Sequence, residues 1–221
     1  MLSAYKKRKI RKKLTIMADM LAPLFPDVRT ELYFNNHFQL LVAIIMSAQS
    51  TDKQVNKINQ KFFEVLKTPE DGVKMGVEKI KSFVRSVAYF NNKSKHIYET
   101  CKILSEAGGK IPDTLEGLQK LPGVGVKTAK VFLGVTADAP YLGVDTHVHR
   151  VLNRFGIVKT KTPEQTDKVI SVVNFDGNYG RLHHTLVLFG RYYSKANDHD
   201  FSKSKDPEFC RKLKKKLGEV K

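Results

Sequence analysis

The chain has 221 residues, which is enough for one medium domain or for two small lobes with a packed core. Lys and Arg total 39 against 22 Asp and Glu, and the net charge of +17 favours a polyanionic partner. A membrane surface is the competing partner, but no apolar run reaches the roughly 18 residues that a spanning helix needs, and no signal peptide is evident. We therefore expect a soluble intracellular protein.

Apolar residues recur at helical spacing along most of the chain, beginning after a basic run at residues 6–13. That run is typical of a mobile segment that contacts phosphates, with a solvated helix start as the alternative. Residues 14–24 predict an amphipathic helix that ends at its prolines. Residues 37–49 are apolar on nearly all sides and predict a central buried helix.

Helix start sites recur further along the chain. Ser50, Thr51 and Asp52 are good N-cap residues, and two Thr-Pro-Glu segments at 68–70 and 162–164 each place a cap, a first-turn proline and an acid together. No convincing alternating strand pattern appears, so we predict an all-α fold. The two cysteines, Cys101 and Cys210, are too few for a disulfide framework, and the apolar helical spacing around Cys101 predicts a buried thiol.

A glycine-containing segment, Leu-Pro-Gly-Val-Gly-Val-Lys-Thr-Ala at 121–129, opens into a predicted helix at 126–135. Because Gly123 and Gly125 lack a Cβ atom, the turn can adopt positive φ and point its backbone amides outward. With the amides of the helix N-terminus, such a turn can bind a phosphate. The alternative is an ordinary corner between two helices.

The order of four motifs resembles a known family, the helix-hairpin-helix DNA glycosylases with a Gly/Pro-rich segment and Asp (HhH-GPD), and within it the endonuclease III branch. The resemblance covers about residues 14–210. The motifs are Ser-Ala-Gln-Ser-Thr-Asp at 47–52, the segment at 121–129, Val-Asp-Thr-His-Val-His-Arg at 144–150, and His183-His184 with Gly190-Arg191-Tyr192.

The resemblance implies two helical lobes with a DNA-binding cleft between them. The first is a helical barrel at residues 29–139 that contains the hairpin, and the second combines residues 1–28 with 140–221. In endonuclease III-like enzymes the hairpin Lys is the nucleophile and the Asp assists it, and these match Lys127 and Asp145.

The implied reaction is attack of the Lys127 amine on C1′ of a damaged nucleotide. An ordinary lysine is almost wholly protonated at neutral pH, so activation is required; the helix N-terminus, Lys130 and partial desolvation would all favour the neutral amine. Asp145 would stabilise the developing sugar cation or relay protons. The alternatives are a phosphate contact for Lys127 and a simple N-cap for Asp145.

Base chemistry in a duplex requires extrusion of the nucleotide, and the vacated space must be filled. The resemblance makes Gln49 the residue that enters this space. The wedge for the opposite strand falls within residues 87–93, at Tyr89, with a core aromatic as the alternative and the Asn and Lys residues that follow favouring an exposed loop. The further DNA contacts that we predict are Gly123, Gly125, Val126, Thr128, Lys130 and Arg150.

We expect no metal site at the histidines, because they form no compact set of four ligands; His147 and His183 are expected in buried hydrogen bonds. Arg150, Arg154 and Arg191 are expected to pair with phosphates or carboxylates. The resemblance implies that hairpin carbonyls could hold a monovalent cation when DNA binds.

The C-terminal region departs from the family. Most endonuclease III-like proteins ligate an iron-sulfur cluster with four cysteines after the Gly-Arg-Tyr motif. The matching positions here are Ser194, Phe201, Ser204 and Cys210. We therefore predict that the cluster is absent and that packing and hydrogen bonds hold the loop, with Phe201 filling the space.

These features favour a bifunctional DNA glycosylase and abasic-site lyase that removes oxidised pyrimidines from duplex DNA. A monofunctional mismatch glycosylase is one alternative, although such enzymes usually lack the hairpin lysine. A non-catalytic DNA-structure binding protein is the other, but it would not need Asp145. We expect a monomer that acts on double-stranded DNA in the cytoplasm, associated with the nucleoid, or in the nucleus if the source is a eukaryote.

Overall fold

A computed structural model describes residues 2–220, and within this range the chain is helical without any strand, which confirms the all-α prediction. Among these helices, none has both the length and the apolar composition needed to cross a lipid bilayer. The helices are α1 (Ala4–Leu21), a short 3-10 helix (Ala22–Leu24), α2 (His37–Ser47), α3 (Asp52–Val65), α4 (Pro69–Val84), α5 (Phe90–Glu106), α6 (Leu115–Gln119), α7 (Val126–Thr136), α8 (Thr146–Arg154), α9 (Pro163–Ile170), α10 (Tyr179–Tyr192) and α11 (Pro207–Gly218).

Contacts divide the chain into two compact units. One is Thr30–Ala137, which contains α2 to α7, and the described residues before and after it form the other. The second unit is therefore built from both ends of the chain.

The first unit is organised around α2. Every residue from Phe38 to Met46 is buried, as expected for a central helix whose sequence is apolar on all sides. The polar Gln39 within this run donates hydrogen bonds to the carbonyls of Phe63 and Leu66, so its amide is satisfied at the end of α3. The predicted helix starts are confirmed at Thr51 and Thr68, whose side chains accept first-turn amides.

The second unit has its own core, in which one face of α1 packs with α8, α10 and α11. Leu14, Met17 and Leu21 of α1 are fully buried in this core. Thr162 caps α9 as predicted. The aromatic rings of Phe155 and Phe189 lie near its centre, 5.4 Å apart.

The basic run at residues 6–13 is part of α1, so the expectation of a mobile segment is wrong and the alternative of a helix start is right. Ser3 caps the helix through a hydrogen bond from the Lys6 amide. Lys13 is buried and donates a hydrogen bond of 2.7 Å to the Gly156 carbonyl. Burial lowers the pKa of Lys13, and the positive charge of Lys9 lowers it further.

Candidate active site

The hairpin consists of α6, a tight turn and α7, and its shape depends on Gly123. Gly123 has φ = 78°, a conformation that residues with a Cβ disfavour. A Cβ atom placed there would lie 3.0 Å from Nδ1 of His96 on α5. The Thr100 hydroxyl, one turn further along α5, donates a hydrogen bond of 3.1 Å to the Pro122 carbonyl. The turn is thus held against α5 by both contacts.

Gly125 differs from the expectation, because its φ of −82° is ordinary extended backbone that any residue adopts. It is the N-cap of α7, and no side chain of the described residues caps this helix. A Cβ atom at Gly125 would meet nothing within 4 Å. The first-turn amides of α7 therefore have no side-chain cap, and uncapped amides at a helix N-terminus are a common phosphate-binding arrangement.

Lys127 is the second residue of α7, and its side chain is exposed. The partial desolvation expected from the sequence is therefore not provided by the protein and would have to come from bound DNA. Val126 is also exposed, and Thr128 is half-buried. Lys130 is only 5% exposed, which argues against a direct phosphate contact, and we leave it out of the proposed DNA-binding surface.

Asp145 is the N-cap of α8 in the second unit, so the N-cap alternative describes its local structure correctly. Its Oδ1 atom accepts a hydrogen bond of 2.7 Å from the Val148 amide, and its carbonyl accepts one from the His149 amide. The N-cap position directs the carboxylate to the positive end of α8. A cap and a catalytic carboxylate are compatible, and the catalytic role of Asp145 stays a prediction.

Gln49 and Tyr89 have the same unusual backbone, with φ = 55° and φ = 56°. Both are exposed, and Tyr89 has 64% of its surface accessible, so the alternative of a core aromatic at position 89 is wrong. Non-glycine residues in this left-handed region are uncommon and cluster at functional sites. Their roles in a DNA duplex stay predictions.

A side chain that contacts a phosphate is expected to point to solvent, but the Arg150 guanidinium has its partners within the protein. Its guanidinium donates to the carbonyls of Ser194 (3.0 Å) and Gly190 (2.9 Å) and lies 2.9 Å from Nδ1 of His147. Burial is the main cause that lowers the pKa of Arg150. The prediction of Arg150 as a DNA contact is therefore corrected to a structural role at the end of α10.

Arg154, one turn later on α8, has a similar role. It donates to the Ser194 hydroxyl (3.1 Å) and to the carbonyls of Lys195 (2.7 Å) and Ala196 (3.1 Å). Both arginines were expected to bind phosphates or carboxylates, but their hydrogen-bond partners are backbone carbonyls together with the Ser194 hydroxyl and, for Arg150, the His147 ring.

The expected hydrogen bond of His183 is confirmed, because its Nδ1 lies 2.8 Å from the Gly143 carbonyl.

The four positions that match the cluster ligands have other contacts in this structure. The Ser194 hydroxyl accepts a hydrogen bond from Arg154, Ser204 lies 3.3 Å from the Cys210 sulfur, and the Phe201 ring is buried. Burial raises the pKa of the Cys210 thiol. Within residues 2–220 no group of three or more His, Cys, Asp or Glu could hold a metal ion.

The loop at residues 195–205 is instead held by packing and hydrogen bonds, as expected. The Phe201 ring packs 5.5 Å from that of Phe155. Asp198 is 1% exposed and accepts hydrogen bonds from the Lys203 amide (3.0 Å) and the Ser202 hydroxyl (3.3 Å). The Lys205 amide bonds the Tyr192 carbonyl at 3.1 Å, which closes the loop onto α10.

Known proteins are similar to this chain over a range that includes the hairpin and Asp145. Residues 42–174 match the HhH-GPD superfamily of base excision DNA repair proteins. The chain belongs to this superfamily. It is 41% identical over 186 residues to endonuclease III of Rickettsia conorii, covering 84% of this chain and 89% of that protein. It is 40% identical to endonuclease III of Escherichia coli K12, covering 76% and 80%.

A solved structure extends the similarity of this HhH-GPD chain to almost its full length. It is a trapped covalent intermediate between endonuclease III and DNA, with 34% identity and a TM-score of 0.79. The match covers 98% of this chain and 100% of that protein chain. The similarity therefore includes the C-terminal region in which the cysteines are replaced.

Sequence reasoning missed one residue near the site, Lys93, which it assigned to an exposed loop. Helix α5 begins at Phe90, and Lys93 is buried within it. Its position four residues before Ile97 and eight before Cys101 places it on the apolar stripe of α5, and this spacing could have revealed its burial.

Two glycine substitutions distinguish the structural from the binding role of the hairpin. Gly123→Ala should lower the free energy of unfolding by roughly 1–2 kcal/mol or more, because φ is positive and His96 blocks the methyl group. Gly125→Ser should leave stability unchanged or slightly higher, since serine is a good N-cap. Its hydroxyl would occupy the α7 amides, so duplex DNA affinity should fall about tenfold or more.

Thermal unfolding and fluorescence anisotropy with a duplex measure these two effects separately. Unchanged DNA affinity in Gly125→Ser, with stability retained, would mean that the α7 amides do not bind a phosphate.

Proposed function

We propose that this chain is a bifunctional DNA glycosylase and abasic-site lyase that removes oxidised pyrimidines from duplex DNA. The observation that supports this most directly is an exposed lysine, Lys127, placed one residue after an uncapped helix N-terminus in a chain about 40% identical to endonuclease III.

In the proposed reaction, Lys127 Nζ forms a bond to C1′ of the damaged nucleotide as the bond from C1′ to the base breaks. The departing base takes up a proton, and the covalent adduct opens to a Schiff base. Loss of a C2′ proton then expels the 3′ phosphate by β-elimination. The covalent endonuclease III–DNA intermediate at 34% identity supports an attack of this kind.

Asp145 is the proposed partner of Lys127. Its carboxylate would stabilise the cationic sugar or accept the proton that the amine loses. The hydrogen bond from the Val148 amide fixes its orientation before DNA binds, so no reorganisation of this carboxylate is needed in the reaction. We propose that Asp145 and Lys127 act on the same nucleotide.

The proposed DNA contacts follow from exposure and backbone geometry. The amides at Gly125 and Val126 would bind a phosphate at the start of α7, with hairpin carbonyls available to a monovalent cation. Gln49 would fill the space of the extruded nucleotide, and Tyr89 would stack on the opposite strand. The net charge of +17 would make this binding strongly dependent on salt.

We also propose that the protein functions without an iron-sulfur cluster. Cys210 is the one cysteine among the four matching positions, and the buried Phe201 ring occupies part of the space. The purified protein should therefore lack broad visible absorption, and iron and sulfide assays should find neither after anaerobic reconstitution. Stoichiometric iron and sulfide would refute the proposal.

Lys127→Gln should abolish Schiff-base trapping by borohydride on a duplex with an abasic site, because an amide cannot form the imine. The affinity for that duplex should change less than about tenfold, since the substitution removes one of many contacts with phosphates. Lys120→Gln is the matched control, because it removes an exposed amine from the same hairpin. Persistent trapping in Lys127→Gln would exclude Lys127 as the nucleophile.

Asp145→Asn should slow base excision by about 100-fold or more while the melting temperature changes little, because asparagine caps a helix as well as aspartate does. Asp145→Ser provides a second capping side chain without a carboxylate and should behave alike. A large loss of stability with normal single-turnover excision would leave Asp145 as a cap alone.

A further inference from the structure

Lys93 is a buried lysine on α5 that the proposed chemistry does not use. Its side chain is 5% exposed, and burial lowers the pKa of its ammonium group. A lysine seldom occupies such a position unless its charge has defined partners, because removal from water is costly. Its partners therefore indicate what it does.

The Lys93 ammonium has three hydrogen-bond acceptors, and all of them belong to the segment around Gln49. It donates to the carbonyls of Met46 (2.7 Å) and Ala48 and to the hydroxyl of Ser50 (3.3 Å). An ammonium group has three N–H donors, so this set matches its full capacity. The carbonyls lie at the C-terminal end of α2, where a positive charge is favoured.

The same lysine lies four residues after Tyr89, in the first turn of α5. The Tyr89 carbonyl accepts the Lys93 amide at 3.0 Å, so the backbone of Lys93 fixes one loop while its side chain fixes the other. Two further hydrogen bonds join these loops. The Ala88 amide donates to the Ser50 hydroxyl at 3.1 Å, and the Gln54 side chain donates to the Ser86 carbonyl.

Both exposed tips of this linked pair have left-handed backbones, at Gln49 and Tyr89. Such conformations persist only where surrounding contacts determine them. Lys93 binds the carbonyls of Met46 and Ala48 and the hydroxyl of Ser50. Its ammonium group therefore holds the chain immediately before and after Gln49.

We propose that Lys93 is a positioning residue that fixes the Gln49 and Tyr89 loops as one rigid element, so that both side chains enter the duplex together during nucleotide extrusion. This inference rests on the proposed function, because it explains what holds Gln49 and Tyr89, the two residues proposed to enter the duplex, in their backbone conformations. Lys93 itself contacts neither DNA nor the reacting atoms. A preordered pair of loops loses less conformational freedom on binding than two independent loops.

Lys93→Met tests this role, because methionine keeps most of the aliphatic stem and removes all three donors. Lys95→Met is the matched control, since it removes one charge from an exposed position on the same helix. Single-turnover excision is measured on an oxidised pyrimidine paired with a base and on the same lesion opposite a tetrahydrofuran abasic analogue. Extrusion is easier in the second duplex, where no base pair has to be broken.

Lys93→Met should lose about 10- to 100-fold in excision of the paired lesion and less than about threefold for the unpaired one, in line with the loss of base stacking. Lys95→Met should leave the ratio of the two rates unchanged. The fluorescence of 2-aminopurine beside the lesion should report less unstacking in Lys93→Met. Combining Lys93→Met with Tyr89→Ala should add little to either change, because both would act on one step.

Equal losses on both duplexes, or full activity on both, would overturn the proposal. If Lys93→Met fails to fold, Ser50→Ala serves as the milder variant, because it removes the acceptor shared by Lys93 and Ala88. It should shift the paired-to-unpaired ratio in the same direction, and an unchanged ratio would again count against the proposal. Failure of the wild-type protein to excise or to be trapped would instead refute the proposed function.

Discussion

The left-handed turn at Gly123, pressed against His96 of α5, determines where α7 begins. The first backbone hydrogen bond after it runs from the Ala129 amide to the Gly125 carbonyl, so Lys127 lies within the first turn of the helix. A shift of this turn would move the amides and the amine together. The chemistry that we propose for the Lys127 amine therefore depends on the close approach of Gly123 to His96, which a side chain at position 123 would prevent.

Cations at the C-terminal ends of helices recur as the means of holding loops in this protein. Lys93 binds the carbonyls of Met46 and Ala48 at the end of α2, and Arg150 binds the Gly190 carbonyl in the last turn of α10. Both helix ends have carbonyls that the helix cannot satisfy itself. In the second unit, Arg154 and Phe201 together hold the region where most endonuclease III-like proteins have four cysteines.

Local signals in the sequence predicted the helices and their caps well, including Thr68 and the N-cap at Asp145, because a cap involves only a few neighbouring residues. The errors share a physical cause, which is that the destination of a long side chain depends on distant parts of the fold. Arg150 was assigned to DNA but binds backbone carbonyls, and Lys93 was assigned to a loop but is buried. At Gly125 the sequence allowed either a positive φ or a close approach of another group, and the structure shows an ordinary φ of −82° with open space around the position of a Cβ atom.

The second unit has a consequence for biosynthesis, because it joins the two ends of the chain. The apolar face of α1, with Leu14, Met17 and Leu21, packs against helices that a ribosome makes last. At ~5–20 residues per second, that face waits on the order of 10 s for α10 and α11, while Thr30–Ala137 can already fold. The basic residues spaced along α1 would keep the nascent segment soluble during this interval, which gives the N-terminal lysines a use before any DNA is bound.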